Sequence, residues 1–186
     1  MIRYLLRCWS ARDSHVRVLD LGCGNGAFTG ELYGLGYETV GVDVSESGIA
    51  MANSKWPECE FHVGSAYDDV YGLYGAFDVV TSLQVVEHVY APRDYAKAVY
   101  RALRPGGIAL ISTPFHGYWK NLLLAVSGKL DQHFAPLWDH GHIKFWSEAS
   151  LQKLLTETGF QNISFEYAGR RYPFSKSMIA IAKKPT

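Results

Sequence analysis

Two carboxylates and a run of glycines near the start of the chain have the types and spacing of a nucleoside-binding turn. They lie in Val18-Leu19-Asp20-Leu21-Gly22-Cys23-Gly24-Asn25-Gly26, with Asp43 at the end of the next apolar run. Gly22, Gly24 and Ala27 also satisfy the dinucleotide pattern G-x-G-x-x-G/A. Glycines alone also fit a tight strand-to-helix turn that holds no ligand. Asp20 separates these readings, because a carboxylate two residues before the first glycine repels a pyrophosphate held at the helix N-terminus. S-Adenosylmethionine carries an ammonium and a sulfonium instead, and an acidic loop attracts both. Asp43 suits the two ribose hydroxyls of either cofactor, so it supports a nucleoside without choosing one.

The second set of reactive side chains is histidine-rich. Gln84-Val85-Val86-Glu87-His88 follows an apolar run, and His116, His133, His140 and His142 fall in an aromatic stretch, with Asp139 beside His140. Methyl transfer from a sulfonium is an in-line displacement, so positioning and desolvation supply most of the rate. A base is needed only where the acceptor must lose a proton. His88, His140 and His142 are the candidates for that role. Zinc would need three or four converging ligands, and no cysteine lies close to these histidines. No metal site is therefore expected. An acceptor pocket with aromatic walls and an imidazole base accounts for the composition. The plainer alternatives are that Glu87 and His88 cap a helix or bond a loop, and that the other histidines sit in a packed cap.

The elements that must position these groups alternate between short apolar runs and helical patterns. Strands are expected over Arg17 to Leu21, Thr39 to Val44, Glu60 to Val63, Phe77 to Ser82 and Ile108 to Ser112. Helices are expected over Ala27 to Leu35, through Ile49 to Asn53 behind the N-cap Ser45, and over Arg93 to Leu103. Arg104-Pro105-Gly106-Gly107 reads as a terminating turn. Five strands with four crossovers make a doubly wound sheet whose ligand sits at the strands' carboxyl ends. Pro114 to Gly141 exceeds an ordinary connection and reads as a functional insertion, bounded at about 114–146, with a helix near Asn121 to Val126. Ser147 to Thr158 closes on Gly159. Phe160 to Tyr167 and Met178 to Ala182 complete the sheet as an antiparallel hairpin. The expected fold is thus α/β, a mostly parallel seven-stranded Rossmann-like sheet in one domain over residues 1–186.

Bulk properties narrow the partners. Eighteen basic and eighteen acidic residues give no net charge, which argues against nucleic acid. No apolar run approaches a membrane span, and the arginine-bearing start lacks the core of a signal peptide. It reads as a short amphipathic helix. Cys8, Cys23 and Cys59 share no metal-ligand spacing and read as free thiols of a cytoplasmic protein. A homodimer is compatible with all of this.

The run VLDLGCGNGAFTGELYGLGYETVGVDVSESGIAMA resembles the first motifs of class I S-adenosylmethionine-dependent methyltransferases. FDVVTSLQVVEHV, LRPGGIALISTP and LQKLLTETGF resemble the later motifs in the same order, so the likeness covers about Val16 to Phe160. Within that superfamily the chain looks most like the branch that includes ubiquinone-biosynthesis O-methyltransferases. The resemblance implies that Gly22, Cys23, Gly24 and Gly26 pass under the methionine portion, with Asp43 on the ribose and Val44 beside the adenine. Ser65 stands where the superfamily often has an acid for the adenine amino group, with Ala66 offering backbone. Leu83 and Gln84 would line the methyl-transfer side. In the quinone-related branch the pattern is E-x-x-E-H, implied to hold a divalent metal; here Gln84 replaces the first acid. The expected activity is methylation of a small, aromatic or apolar acceptor, oxygen favoured. A cofactor-binding protein without turnover and a nicotinamide-dependent oxidoreductase are the alternatives. His142-Ile143-Lys144-Phe145-Trp146-Ser147 resembles the H-x-x-F-[ST] run before the last helix, with Ser147 as N-cap and the aromatics as staple and core.

Overall fold

The first strand, β1 (Arg17–Leu21), is buried at almost every position, as a strand covered on both faces must be. Alternation divides it: Val18 points into one apolar cluster and Leu19 into another across the sheet. Six further strands join it, β2 (Glu38–Asp43), β3 (Glu60–Val63), β4 (Phe77–Leu83), β5 (Leu103–Pro114), β6 (Gln161–Ala168) and β7 (Ser177–Lys183). They lie in the order β3-β2-β1-β4-β5-β7-β6, the first five parallel and β7 antiparallel to both neighbours. These facts come from a computed structural model that describes residues 16–186; the expected N-terminal helix and Cys8 fall outside the described residues.

Helices α1 (Ala27–Gly34), α2 (Glu46–Lys55), α3 (Val70–Tyr74), α4 (Pro92–Ala102), α5 (Tyr118–Val126), α6 (Leu130–Phe134) and α7 (Glu148–Thr158) connect the strands. On one side α4 and α7 cover the sheet, burying Tyr95, Val99, Leu151 and Leu155. On the other, Leu32 of α1 meets Val18, Val79 and Leu110. Ser45 caps α2 by accepting from Gly48 N at 3.0 Å, and Ser147 and Ser150 cap α7 reciprocally. None of the described helices is long and apolar enough to cross a membrane.

The structure departs from the expected elements at three places. Strand β2 ends at Asp43, leaving Val44 outside it and 70% exposed. Arg104 to Gly107 is not a turn before a short strand. It is looped out within β5, where Leu103 pairs with Phe77 and Ile108 with Val79. Helices α3 and α6, of five residues each, are too short to show a period and were not expected.

Gly26 illustrates how tightly the first loop is packed. Its φ is +72°, and a Cβ there would lie 2.6 Å from Phe61 Cζ and 2.8 Å from Ala52 Cβ. Gly26→Ala combines a left-handed penalty of about 1–2 kcal/mol with overpacking of about 1–3 kcal/mol. Urea denaturation should show a loss of about 2–4 kcal/mol; a loss below about 1 kcal/mol would contradict the packing.

Candidate active site

The loops after β1, β2, β3 and β4 converge at the carboxyl ends of the strands on a cavity of about 240 Å³. Gly22, Asp43, Val44, Ala66, Leu83 and Gln84 of the expected cofactor set line it. Val42, Gly64, Val85 and His88 line it as well, and of these only His88 was singled out from the sequence. Gly22 has φ +84°, and a Cβ would lie 2.2 Å from Val85 Cγ2, so the chain passes the wall at a distance only glycine permits.

Asp43 organises this cavity. One carboxylate oxygen accepts from Gly24 N at 2.8 Å, and the other accepts from Ser45 N at 2.8 Å. Each oxygen retains acceptor capacity beyond these bonds, and Asp43 lines the cavity, which suits a pair of vicinal hydroxyls. Val44 offers an uncovered apolar shelf beside it. Gln84 sits at φ +56° at the end of β4, held by Ser112, to whose carbonyl and hydroxyl oxygens its amide donates. Such strain at the end of a central strand is common at binding sites.

Four expected cofactor contacts lie off the lining. Cys23 is buried in a cluster with Ile49, Cys59 and Phe61. Gly26 packs against Phe61 and Ala52. Gly24 holds Asp43 through its N–H. Ser65 turns its backbone N–H to Asp68 at 2.7 Å, while Gly64 and Ala66 on either side face the cavity. Ser65 opens a turn, its carbonyl accepting from Asp68 N and its hydroxyl from Tyr67 N, which keeps its polar groups in that turn.

Asp20 also lies beneath the loop rather than on the lining. It is 1% exposed, accepting from Thr29 Oγ1 of α1 at 2.7 Å and from Thr81 Oγ1 of β4 at 3.1 Å. Burial pushes its carboxyl up to about 6, against the two threonine hydrogen bonds. Its charge reaches the loop through space, since it acts on the Cys23 thiol. A folded carboxyl raised above its unfolded value binds protons more tightly in the native state, so stability falls as pH rises from about 4 to about 6 and the loss is complete above that. The buried charge costs on the order of 3 kcal/mol at neutral pH. Asp20→Asn should therefore keep or raise the melting temperature at pH 7.5 and flatten that pH dependence. A clearly lower melting temperature at pH 7.5 would show that the carboxylate holds the fold rather than opposing it.

Beyond Gln84 the wall is made by His88. Its ring edge lies against His142, with centroids 4.8 Å apart. His88 Nδ1 meets the carbonyl oxygens of His140 and Gly141 at 3.1 and 3.2 Å. Two carbonyls can only accept, so Nδ1 carries the hydrogen and Nε2 keeps the free lone pair. His140 itself is exposed and contributes this carbonyl, at φ +60°. The structure thus brings His88 and His142 together and leaves the His140 ring outside.

Glu87 supports this arrangement from below. It is 1% exposed, and its carbonyl accepts from Ile143 N at 2.9 Å and Lys144 N at 3.0 Å, tying the insertion to the loop after β4. Neither carboxylate oxygen has a hydrogen-bond partner in the described residues, and His142 Nε2 stands 4.0 Å from Oε1. Burial pushes the carboxyl up. His142 is pushed down by burial first, then by His88 and His133. One ligand-type atom each of Glu87, His88 and His142 lies within 4.8 Å of the others. Gln84 removes one acid from the run, but the fold brings in His142, which linear spacing could not show. One carboxylate and two imidazoles suit a borderline transition ion better than a hard cation.

Trp146 is core, donating from Nε1 to Val86 O at 3.1 Å. Phe145 is not; it is 45% exposed and meets Phe134 and His116 edge to face in the insertion. His116 is buried and driven down to about 4, chiefly by that burial. Cys23 and Cys59 are free thiols.

Residues 1–165 match the methyltransferase-domain family, and the chain belongs to it. More particularly, it resembles ubiquinone biosynthesis O-methyltransferases. It is 31% identical over 165 residues to that of Thiobacillus denitrificans, covering 86% of this chain and 70% of the relative. The Ruegeria pomeroyi protein is 30% identical over 152 residues, with 80% and 61% covered. The chain thus spans about two thirds of these relatives' length. Among solved structures, magnesium protoporphyrin IX methyltransferase of Synechocystis, with bound S-adenosylhomocysteine, superposes with TM-score 0.75 at 21% identity, covering 98% of this chain and 80% of that one. The [4+2]-cyclase SpnF superposes with TM-score 0.76 at 19% identity, covering 100% and 81%. These likenesses establish the fold, a Rossmann-like methyltransferase sheet.

Proposed function

We propose that the protein transfers the methyl group of S-adenosylmethionine to an oxygen of a small, apolar or aromatic acceptor. The observation that carries this reading is His88. It lines the cofactor cavity with Nδ1 committed to two carbonyls and Nε2 left as a base. In the step, the acceptor oxygen forms a bond to the methyl carbon as the carbon–sulfur bond breaks. The electron pair of that bond returns to sulfur, giving neutral S-adenosylhomocysteine. The acceptor's proton passes to His88 Nε2. Neutral His142 packs against the base, and the buried Glu87 pins the insertion that closes the site. Asp43 is proposed to hold the ribose and Val44 the adenine, while Asp20 biases the loop toward cationic ligands. Unpaired Cys23 and Cys59 support a reducing cytoplasm as its setting. Membership of the methyltransferase-domain family sets the nicotinamide alternative aside.

Incubating the protein with S-adenosylmethionine and a panel of phenols, catechols and hydroxy acids, with S-adenosylhomocysteine release as readout, tests this. Methylation of amines alone, or none of the panel despite tight cofactor binding, overturns oxygen transfer. The second outcome favours a cofactor-binding protein without turnover, a reading that gains interest from the cyclase on the same fold.

The cluster of Glu87, His88 and His142 favours one second reading. These residues would hold a divalent transition ion, which supplies Lewis acidity to an acceptor oxygen when bound. Elemental analysis of the purified protein, and activity after chelator treatment, separate the two. Stoichiometric metal whose removal stops turnover replaces the free base by a metal site; full activity without metal retains the base.

A further inference from the structure

A second cavity, of about 280 Å³, lies on the insertion side between α5, α6 and the loop joining β6 to β7. Lys120, His133, Arg170 and Lys176 enter it from these three elements, and no carboxylate lines it. Among the described residues, Lys120, Arg170 and Lys176 make no ion pair; Lys120 Nζ donates to Phe115 O at 2.9 Å and keeps two hydrogens for another acceptor. Leu123 and Phe174 supply apolar wall. Ser175, fully buried, bonds Arg170 O at 2.9 Å and so fixes the loop that carries Arg170 and Lys176. Cations gathered in one concavity without a counter-charge repel one another. Lys120 is pushed down by burial and then by Arg170, and His133 by burial and then by Lys120.

We propose that this cavity is an oxyanion subsite, taking a phosphate-type group on an amphipathic ligand. Two features set the ligand's class. Several convergent N–H donors suit a phosphate or a similar multi-oxygen anion better than a single hydroxyl. α5 buries none of its residues, and Leu123 on the cavity lining is exposed, as are Trp119 and Val126 of the same helix, an apolar surface that inorganic phosphate would leave unused. A wholly apolar partner would leave the cations unused. The cavity also adjoins the acceptor side: the His133 ring lies 5.4 Å from that of His116, and its charge acts on His142 beside His88. That position makes the bound group the far end of a methyl acceptor. This last step rests on the methyl-transfer reading, whereas anion binding does not.

The test is a titration of the full chain with inorganic phosphate at constant ionic strength, with chloride as control, following the His133 ring signals by NMR. The expected result is saturation in the low millimolar range, weakened at least about tenfold in the double variant Arg170→Ala, Lys176→Ala. Both residues are exposed, and S-adenosylhomocysteine affinity should be unchanged in the variant, which separates failure of this site from failure of the cofactor reading. A second arm uses sedimentation with phosphatidylglycerol vesicles against phosphatidylcholine vesicles. Selective binding to the first, lost in the double variant, places the phosphate on a lipid; phosphate saturation without vesicle binding places it on a soluble ligand. A linear, unsaturated response to phosphate together with no selective vesicle binding overturns the subsite. Binding unaffected by the double variant overturns it equally.

Discussion

Asp43→Ala is expected to weaken S-adenosylhomocysteine binding by about 100-fold or more, equivalent to about 2.7 kcal/mol. The side chain has two tasks. Its oxygens hold Gly24 N and Ser45 N at 2.8 Å each, so removing them frees the glycine loop and the cap of α2 together. Hydrogen bonds to a charged group contribute about 1.5–3 kcal/mol each. These are partly exposed, so water replaces part of that, and a stability loss of about 2 kcal/mol in urea is expected. Asp43 is also the only carboxylate on the described lining, so on the proposed reading its loss leaves the ribose hydroxyls without an anionic acceptor. Asp43→Asn, which keeps one acceptor oxygen, should fall between wild type and alanine in both measurements. Calorimetric titration within about fivefold of wild type for the alanine variant would remove Asp43 from the cofactor site.

Local signals made much of this legible. Buried strands such as β1 and β4 announce themselves as apolar runs, and Ser45 and Ser147 as caps before helical patterns. The glycine run also located the cavity, although its members divide the work in a way that spacing cannot show. Gly22 lines the wall, Gly24 holds Asp43 and Gly26 makes room for Phe61. Asp20 was legible as an acid near the loop. That it faces Thr29 and Thr81 instead of the lining follows from the alternation of β1 and from long-range pairing with β4. Cys23 and Ser65 follow from position alone, but Cys23 packs into the cluster with Ile49, Cys59 and Phe61, and Ser65 is held in the turn to Asp68.

The insertion was the least legible part. Its histidines and aromatics are visible in the sequence, but their grouping depends on where the insertion is tied down. That tie is the Glu87 carbonyl, which receives the N–H groups of Ile143 and Lys144. It carries His142 to His88 and puts the His140 carbonyl, rather than its ring, against His88. A backbone hydrogen bond leaves no compositional trace. For the same reason Lys120, His133, Arg170 and Lys176 are scattered in sequence and meet only when the β6–β7 loop folds toward α5.

His88→Ala is expected to lower turnover by about 10²–10⁴-fold on an acceptor that must lose a proton. S-Adenosylhomocysteine affinity should change by less than about fivefold, because His88 forms only one edge of a cavity whose loop is held by Asp43. This split between rate and binding separates a base from a wall residue, which would weaken binding and turnover together. His88 is exposed on the structure, so the alanine variant opens a space that solvent reaches. Added imidazole should then restore part of the activity, and restore it most for the most weakly acidic acceptors. Acceptors that are already ionised need no base, and their methylation should be almost insensitive to the substitution. His140→Ala should cost little by comparison, since only its backbone carbonyl meets His88. Equal losses for ionised and un-ionised acceptors, with no imidazole rescue, would show that His88 shapes the site and that the proton leaves by another route.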